Sequence, residues 1–209
     1  VYGLAECSVG LAVSPPGRGP LIDRVQREAL AAGEALPAAA DDIHALPLVA
    51  CGRPLPGHEI RIVDESGREL PSRRVGRLEF RGPSATRGYY RNPEATARLI
   101  RDGWLDSGDL AYVADGDIVI AGRVKDMIIR GGRNLSPYEL EEAVGAIPGG
   151  RRGCVAVFGA AEAGQGTEKL VVVAESRETD SAARQELIRR INGLTVDLLG
   201  TPPDDVVLA

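Results

Sequence analysis

The chain has 209 residues, of which 44% are hydrophobic and 26% charged, and these values suit a globular protein of one or two domains. Its formal net charge of −5 argues against a nucleic-acid-binding surface, which needs an excess of Lys and Arg. No apolar run approaches the roughly 20 residues that cross a bilayer as a helix. We therefore predict neither a nucleic-acid partner nor a transmembrane segment.

The cysteine and histidine content narrows the chemistry further. Cys7, Cys51 and Cys154 are an odd, widely spaced set, which predicts free thiols and a cytoplasmic location. The two histidines, His44 and His58, form no zinc spacing and lie near no candidate nucleophile, so a Ser–His hydrolase is not expected. The chain also lacks a GxxxxGK[ST] phosphate loop and a GxGxxG motif after a strand.

The first half of the chain is predicted to be rich in β-structure. Residues 7–13 indicate a strand, and residues 14–50 are predicted to be irregular, with a short helix within IDRVQREAL. From 51 to 122, EIRIVD and GRLEFRG alternate as strands do. The segment LAYVADGDIVIAG predicts a hairpin closed by Asp115-Gly116, because Asp-Gly favours the positive φ angles of a two-residue turn.

The pattern changes after Gly122. VKDMIIRGGRN predicts a second ribbon, and Ser136, Pro137 and Glu139 have the spacing of a helix N-terminus with a capping box. CVAVFG and KLVVVAE indicate buried strands, and an amphipathic helix over 182–192 is predicted to stop at Gly193. We predict a β-rich body over 1–122, a hinge at 123–126 and a small α+β unit over 127–209.

The two residues that flank the predicted hairpin have side chains suited to a nucleotide sugar. The Asp109 carboxylate, in SGDL, could accept hydrogen bonds from two adjacent hydroxyls such as those of a ribose. Arg123 follows the hairpin and could reach the same sugar or a phosphate. From the residues alone, a turn-capping aspartate and a surface arginine on an edge strand remain open alternatives.

Other candidates are equally ambiguous when taken singly. Glu6 could be a carboxylate ligand of a divalent cation that bridges phosphates, or a surface acid. Tyr2 offers a ring face to a purine, or packs in a core. Lys125 lies where a hinge would be needed, and Gly131 and Gly132 would either let a ligand approach the backbone or form a tight turn.

Four motifs in order favour the functional alternatives. YGLAE, GRLEFRGPSATRGYYRNPEAT, DGWLDSGDL and GRVKDMIIRGGRNLSPYELE together resemble the adenylate-forming (AMP-binding, acyl-CoA synthetase) superfamily over nearly the whole chain. The segments DRVQREAL, CGRPLPGHEIRIVD and PPDDVVLA are most similar to fatty acyl-AMP ligases and related acyl-CoA synthetases. The resemblance implies the distorted-barrel end of a large adenylation domain, joined by a hinge to a small mobile α+β domain.

The implied activity is an ATP-dependent ligation in two steps. A fatty acid or another carboxylate attacks the α-phosphate of ATP to give acyl-AMP and pyrophosphate. The acyl group then passes to the thiol of CoA or of the phosphopantetheine arm of an acyl carrier protein. The cofactors implied are ATP or AMP, Mg²⁺, and CoA or phosphopantetheine as acceptor.

The same resemblance implies a role for each matching residue. Tyr2 and Gly3 would bind the nucleotide, with Tyr2 stacked near adenine, and Asp109 would bind both ribose hydroxyls with Arg123 beside it. Three further roles are implied, namely Mg²⁺ binding at the catalytic Glu6, domain rotation at Lys125 and lining of the pantetheine path by Gly132.

Two positions depart from the family pattern. Ala5 stands where many members have Thr, which removes a hydroxyl contact to phosphate, although fatty acyl-AMP ligases share this feature. Ser107 replaces the usual Thr before Gly-Asp and keeps a hydroxyl. The sequence begins abruptly at Val1, so we interpret it as the C-terminal portion of a longer enzyme, in which a surface bared by the cut could support self-association.

We expect the 209-residue chain alone not to catalyse adenylation. The family's Ser/Thr/Gly-rich phosphate loop would lie before Val1, and its activating lysine would lie after Ala209. The alternative hypothesis is a stand-alone, non-catalytic nucleotide-binding or interaction module. An ATP–pyrophosphate exchange assay on the chain should show no exchange, and robust exchange would refute the expectation.

Overall fold

The computed structural model describes residues 1–130, 133–161 and 168–209. The chain divides into two compact units, Val1–Lys125 and Asp126–Ala209. The first unit is dominated by one curled sheet that forms a half barrel, and the second combines sheets with two helices. The predicted α+β class is therefore confirmed. None of the described helices is long and apolar enough to cross a bilayer.

One eight-stranded sheet forms the framework of the first unit. Its strand order is β1-β3-β8-β7-β5-β4, with β2 paired to β3 and β6 paired to β7. The elements are, in chain order, a 3-10 turn Ala5–Cys7, β1 Ala12–Val13, β2 Ile22–Val25, α1 Arg27–Ala31, β3 Leu46–Pro54, β4 Glu59–Val63, β5 Gly76–Arg81, α2 Pro93–Leu99, β6 Ile100–Arg101, β7 Trp104–Ala114, β8 Asp117–Arg123 and a 3-10 turn Val124–Asp126.

The hairpin between β7 and β8 forms as predicted. Ala114 pairs with Asp117 across a two-residue turn, in which Asp115 has φ 51° and Gly116 has φ 84°. Positive φ at both central residues is the signature of a type I′ turn, whose twist matches that of the flanking strands. The turn sets the register of β7 against β8 as far as Ala111 and Ile120, and a one-residue bulge at Ala121 then brings Asp109 opposite Arg123.

Alternation along β4 and β5 places one face of the sheet in the core. Leu78 and Phe80 are fully buried, as their shared face in GRLEFRG predicts, and Ile62 of β4 is buried beside them. Ile118 of β8 and Leu105 of β7 complete the same cluster. The two strands that carry Asp109 and Arg123 are therefore anchored on a packed apolar layer.

The segment before β4 is more ordered than predicted. Ile22–Val25 is a strand antiparallel to Leu46–Val49, and helix α1 covers only Arg27–Ala31. The prediction of an irregular 14–50 region is therefore wrong, because Val25 is buried and Ile22–Val25 pairs with β3. The short helix predicted within IDRVQREAL forms, but only from Arg27 onward. The strand predicted over 7–13 is reduced to Ala12–Val13, since Cys7 lies in the 3-10 turn.

The second unit packs two helices against a three-stranded sheet. The sheet order is β11-β12-β13, with β11 antiparallel and β13 parallel to β12, while β9 and β10 form a separate ribbon. Leu140, Val157, Leu170, Val172 and Leu187 are among its buried core residues. Its elements are β9 Ile128–Arg130, β10 Arg133–Leu135, α3 Pro137–Gly145, β11 Gly150–Ala161, β12 Glu168–Ser176, α4 Ser181–Leu199 and β13 Asp205–Leu208.

Two details of the helix ends differ from the sequence-based predictions. Ser136 is at the N-cap of α3 and Pro137 at its first position, but the Ser136 side chain makes no capping hydrogen bond. Helix α4 does not stop at Gly193 and continues to Leu199. It continues because Leu194, Leu198 and buried Thr195 extend its inward face, and it ends at Gly200, which has φ 76°.

Substitution of the two glycines should have opposite effects on the free energy of unfolding. Gly193→Ala should stabilise the protein by about 0.5–1 kcal/mol, because the site is an exposed helix interior with open space at the Cβ position. Gly200→Ala should destabilise it by about 1 kcal/mol, because an L-residue is strained at positive φ. Urea unfolding followed by far-ultraviolet circular dichroism measures both, and destabilisation by Gly193→Ala would contradict the assigned helix.

Candidate functional site

A buried carboxylate lies at the centre of the candidate site in the first unit. Asp109 is only 5% exposed, and both of its oxygens are bound. Oδ2 accepts a hydrogen bond of 2.5 Å from the Tyr2 hydroxyl, and Oδ1 accepts one of 3.1 Å from Arg123 Nε. Asp109 and Arg123 are direct cross-strand partners. Two residues predicted to bind nucleotide, Tyr2 and Arg123, therefore both contact a third, Asp109.

A bulge in β7 orients Asp109. Between the pairs Arg77–Leu110 and Glu79–Asp106, β7 contains two more residues than β5. Ser107 Oγ donates to the Leu78 carbonyl (2.8 Å) and accepts the Asp109 N–H (3.1 Å). Bulges bend a strand and redirect its side chains. The hydroxyl that Ser107 retains in place of Thr thus fixes the backbone from which the carboxylate projects.

The Tyr2–Asp109 hydrogen bond perturbs the tyrosine. Burial, and then the bond to Asp109, raises the pKa of the Tyr2 hydroxyl well above its ordinary value. The Arg123 side chain, by contrast, is 53% exposed, so its pairing with Asp109 is partly screened by solvent. Each carboxylate oxygen has two lone pairs, so the Asp109 carboxylate can accept further donors beside Tyr2 and Arg123. Two adjacent hydroxyls would match this capacity.

A strained turn follows Tyr2 and presents Glu6. A Cβ atom on Gly3 would lie 1.5 Å from the Val9 carbonyl oxygen, so only glycine allows this close approach of the chain. Ser8 and Val9 have φ angles of 50° and 82°, in the left-handed region. A β-branched residue is rarely found there, and such strain costs on the order of 1–3 kcal/mol. The Tyr2–Ala12 bridge closes the turn and holds this conformation.

Glu6 is bound by a tyrosine that the sequence analysis did not single out. The Tyr89 hydroxyl donates to Glu6 Oε1 at 2.6 Å, and this bond, followed by burial, raises the pKa of Tyr89. Among the residues that the structure describes, Glu6 Oε2 has no hydrogen-bond partner. Tyr89 lies in GPSATRGYY, a motif quoted for the family resemblance without a residue role, so only its position in the motif could have drawn attention to it.

The donor set around Glu6 fits a phosphate-bound magnesium ion. No cluster of three or more His, Cys, Asp or Glu side chains that could enclose a metal exists within the described parts of the chain. A single carboxylate with a free oxygen is what Mg²⁺ uses when the substrate phosphates and water supply its other ligands. The free oxygen of Glu6 therefore suits a metal that arrives with a nucleotide.

The remaining candidates are further along the chain. Lys125 is exposed in the 3-10 turn Val124–Asp126 and is the last residue of the first unit. Gly132 and its neighbour Gly131 lie outside the described residues. The hinge role of Lys125 and the place of Gly132 on a pantetheine path remain predictions.

Comparisons with known proteins identify the family that this chain resembles. Residues 1–90 match the family described as AMP-binding enzyme. A Caulobacter vibrioides protein provisionally named acyl-CoA synthetase is 39% identical over 193 residues, covering 89% of this chain and 33% of that protein. The long-chain-fatty-acid–AMP ligase FadD26 of Mycobacterium tuberculosis is 33% identical over 201 residues, covering 90% and 33%.

A solved structure has a closely similar fold. A chain from a structural study of fatty acyl-adenylate ligases from E. coli and L. pneumophila superposes with a TM-score of 0.89 at 31% identity. The match covers 99% of this chain and 36% of that chain. The chain thus spans about a third of the length of the relatives it matches.

Removal of the Tyr2 hydroxyl should change how stability depends on pH. Tyr2 keeps its proton in the folded state, so its contribution is complete below about pH 10, the unfolded value, and is lost as the pH rises further. Tyr2→Phe should cost about 1–2 kcal/mol of unfolding free energy at neutral pH and weaken the loss of stability that occurs above about pH 10.

Urea unfolding across this pH range measures the effect. Burial and a hydrogen bond to Asp23 also raise the pKa of Tyr112. Tyr112 should therefore leave a residual pH dependence of stability in the Tyr2→Phe variant. Tyr90→Phe is the matched control, because Tyr90 is 85% exposed. Equal pH dependence in Tyr2→Phe and the unmodified chain would contradict the assigned hydrogen bond.

Proposed function

Because the chain belongs to the AMP-binding enzyme family, we propose that it forms the nucleotide-binding part of an ATP-dependent ligase that activates a fatty acid or a related carboxylate as its acyl-AMP. The observation that carries the proposal is the buried Asp109 carboxylate, which Tyr2 and Arg123 hold ready for a sugar. Its similarity to fatty acyl-adenylate ligases supports the choice of a fatty acid.

Asp109 binds the ribose of the adenylate in this proposal. A carboxylate that is already oriented needs no reorganisation to accept the 2′- and 3′-hydroxyls, and each charge-assisted hydrogen bond contributes about 1.5–3 kcal/mol. Arg123 aligns Asp109 through its Nε contact. Tyr2, bound through its hydroxyl, presents its ring to the adenine, and Gly3 lets the chain pass close to it.

Glu6 holds the Mg²⁺ that accompanies ATP. The ion, when bound, offsets the negative charge of the phosphates. The contribution of the chain is to place one carboxylate oxygen, Oε2, on the far side of the Tyr89 hydrogen bond, without a competing partner among the described residues. Ala5 beside it contributes no hydroxyl to this site.

The reaction balances as two substitutions. A carboxylate oxygen of the acid bonds to the α-phosphorus of ATP and the bond to pyrophosphate breaks, giving acyl-AMP. A thiol sulfur then attacks the acyl carbonyl carbon, its proton is released, and AMP leaves. Product analysis with the whole protein, with CoA and a phosphopantetheinyl carrier protein offered separately, decides between the two thiol acceptors.

A rotation of the second unit about Lys125 accompanies the change of step in this proposal. Two features support it, namely the boundary between the compact units at Lys125–Asp126 and the exposed 3-10 turn that contains it. A hinge needs only a few residues at the end of an element to absorb the change in φ and ψ. We extend the proposal to Gly132 as part of the thiol path and to a cytoplasmic location, which three free cysteines support.

Adenylate binding should depend on the Asp109 carboxylate. Isothermal titration of AMP, and of a non-hydrolysable acyl-AMP analogue, into the 209-residue chain should show binding that Asp109→Ala weakens by a factor of about 10–100, since two charge-assisted hydrogen bonds are lost. Asp109→Asn keeps the shape of the side chain and removes its charge, so it should lie between the two.

Asp41→Asn is the matched control, because Asp41 is exposed and lies in another part of the first unit. Circular dichroism of each variant excludes loss of fold as the cause of weaker binding. Tight ATP binding that Asp109→Ala leaves unchanged would contradict the proposal and favour a stand-alone nucleotide-binding module with another site.

A further inference from the structure

The Glu6 turn is held by the loop between β5 and α2. We name residues 82–92 the Tyr89 loop. It contacts Glu6 twice, because the Tyr89 hydroxyl donates to the Glu6 carboxylate (2.6 Å) and the Thr86 N–H donates to the Glu6 carbonyl oxygen (2.8 Å). One segment therefore fixes both the backbone and the side chain of the same residue.

Helix α2 fixes the position of Tyr89. The Tyr89 N–H donates to Thr96 Oγ1 (2.9 Å), and this hydroxyl donates to the Asn92 carbonyl oxygen (2.8 Å). Gly88 has φ 136°, and a Cβ atom there would lie 2.5 Å from Thr96 Cγ2, so glycine is needed for the loop to reach the helix. The position of the Tyr89 ring is thus set by ordered structure, although the ring itself is 42% exposed.

A second set of contacts joins the Tyr89 loop to the residues after Glu6. Ser84 Oγ lies 3.1 Å from the Cys7 carbonyl oxygen and 2.7 Å from His58 Nε2. Ser8 Oγ donates to the Ser84 carbonyl oxygen (3.2 Å). Gly82 makes room for the imidazole, since a Cβ atom there would lie 2.3 Å from His58 Cδ2. The Tyr89 loop therefore contacts the turn at Glu6 and at the two residues that follow it, Cys7 and Ser8.

We propose that Tyr89 is a positioning residue that locks the Glu6 carboxylate through Oε1, so that Oε2 is presented to the divalent cation carried by ATP. The inference rests on the proposed function. A glutamate side chain loses considerable rotamer freedom when it is ordered, and Tyr89 orders it before the nucleotide arrives. Partners that orient a metal ligand change metal affinity by about 10–100-fold when they are removed.

Tyr89→Phe keeps the ring and removes only the hydroxyl. Isothermal titration of ATP into the full 209-residue chain, repeated over a series of Mg²⁺ concentrations, measures the Mg²⁺ concentration at which ATP binding is half-enhanced. Tyr89→Phe should raise this concentration by about tenfold. The affinity for AMP without Mg²⁺ should stay unchanged, because AMP binding depends on Asp109. Tyr90→Phe, an exposed neighbour, is the matched control.

A double-mutant cycle separates positioning from general structural support. If Tyr89 acts only through Glu6, the pair Glu6→Gln and Tyr89→Phe should need no more Mg²⁺ than Glu6→Gln alone. Additive effects, an unchanged Mg²⁺ requirement in Tyr89→Phe, or an equal weakening of AMP without Mg²⁺ would each overturn the inference and leave the proposed function intact. Absence of AMP and ATP binding in the unmodified chain would overturn both.

Discussion

The Asp109 carboxylate joins three separate stretches of the first unit. Tyr2 reaches it from the start of the chain, Arg123 reaches it from the neighbouring strand, and the bulge at Ser107 sets the direction in which it projects. A carboxylate that is 5% exposed would be costly without these partners, because burial of an unpaired charge is strongly unfavourable. The same partners leave lone pairs free. The interactions that make burial of the charge tolerable therefore also prepare it for a ligand with adjacent hydroxyls.

The surroundings of Glu6 differ from those of Asp109. Glu6 is partly buried, its carboxylate makes one described hydrogen bond, and it lies on a turn that contains two non-glycine residues with positive φ. Strain of this kind persists only where surrounding structure enforces it, and here Gly3 and the Tyr89 loop do so. A closed set of ligands would bind a metal permanently, whereas one oriented oxygen suits an ion that comes and goes with a nucleotide. In the proposed function, Asp109 therefore binds the sugar and Glu6 binds the phosphate-bound metal.

Local signals in the sequence were sufficient where short-range chemistry decides the structure. Asp115-Gly116 predicts its hairpin because only a few residues tolerate the turn, but the Asp109–Arg123 pairing also depends on a bulge at Ala121 that was not predicted. The strand Ile22–Val25 was not predicted, because nothing within these residues indicates that they pair with β3. Gly193 failed as a helix stop because the apolar residues after it extend the buried face of α4. Tyr89 was missed because its partner, Glu6, is 83 residues away in the chain.

The central claim, that Asp109 binds the sugar of an adenylate, is tested most directly by a crystal structure of the chain with an acyl-sulfamoyl-adenosine, a stable mimic of acyl-AMP. The account predicts that both ribose hydroxyls lie within hydrogen-bond distance of the Asp109 carboxylate, with Arg123 still in contact with Oδ1. An adenosine bound elsewhere, or a ribose that turns its hydroxyls away from Asp109, would contradict it.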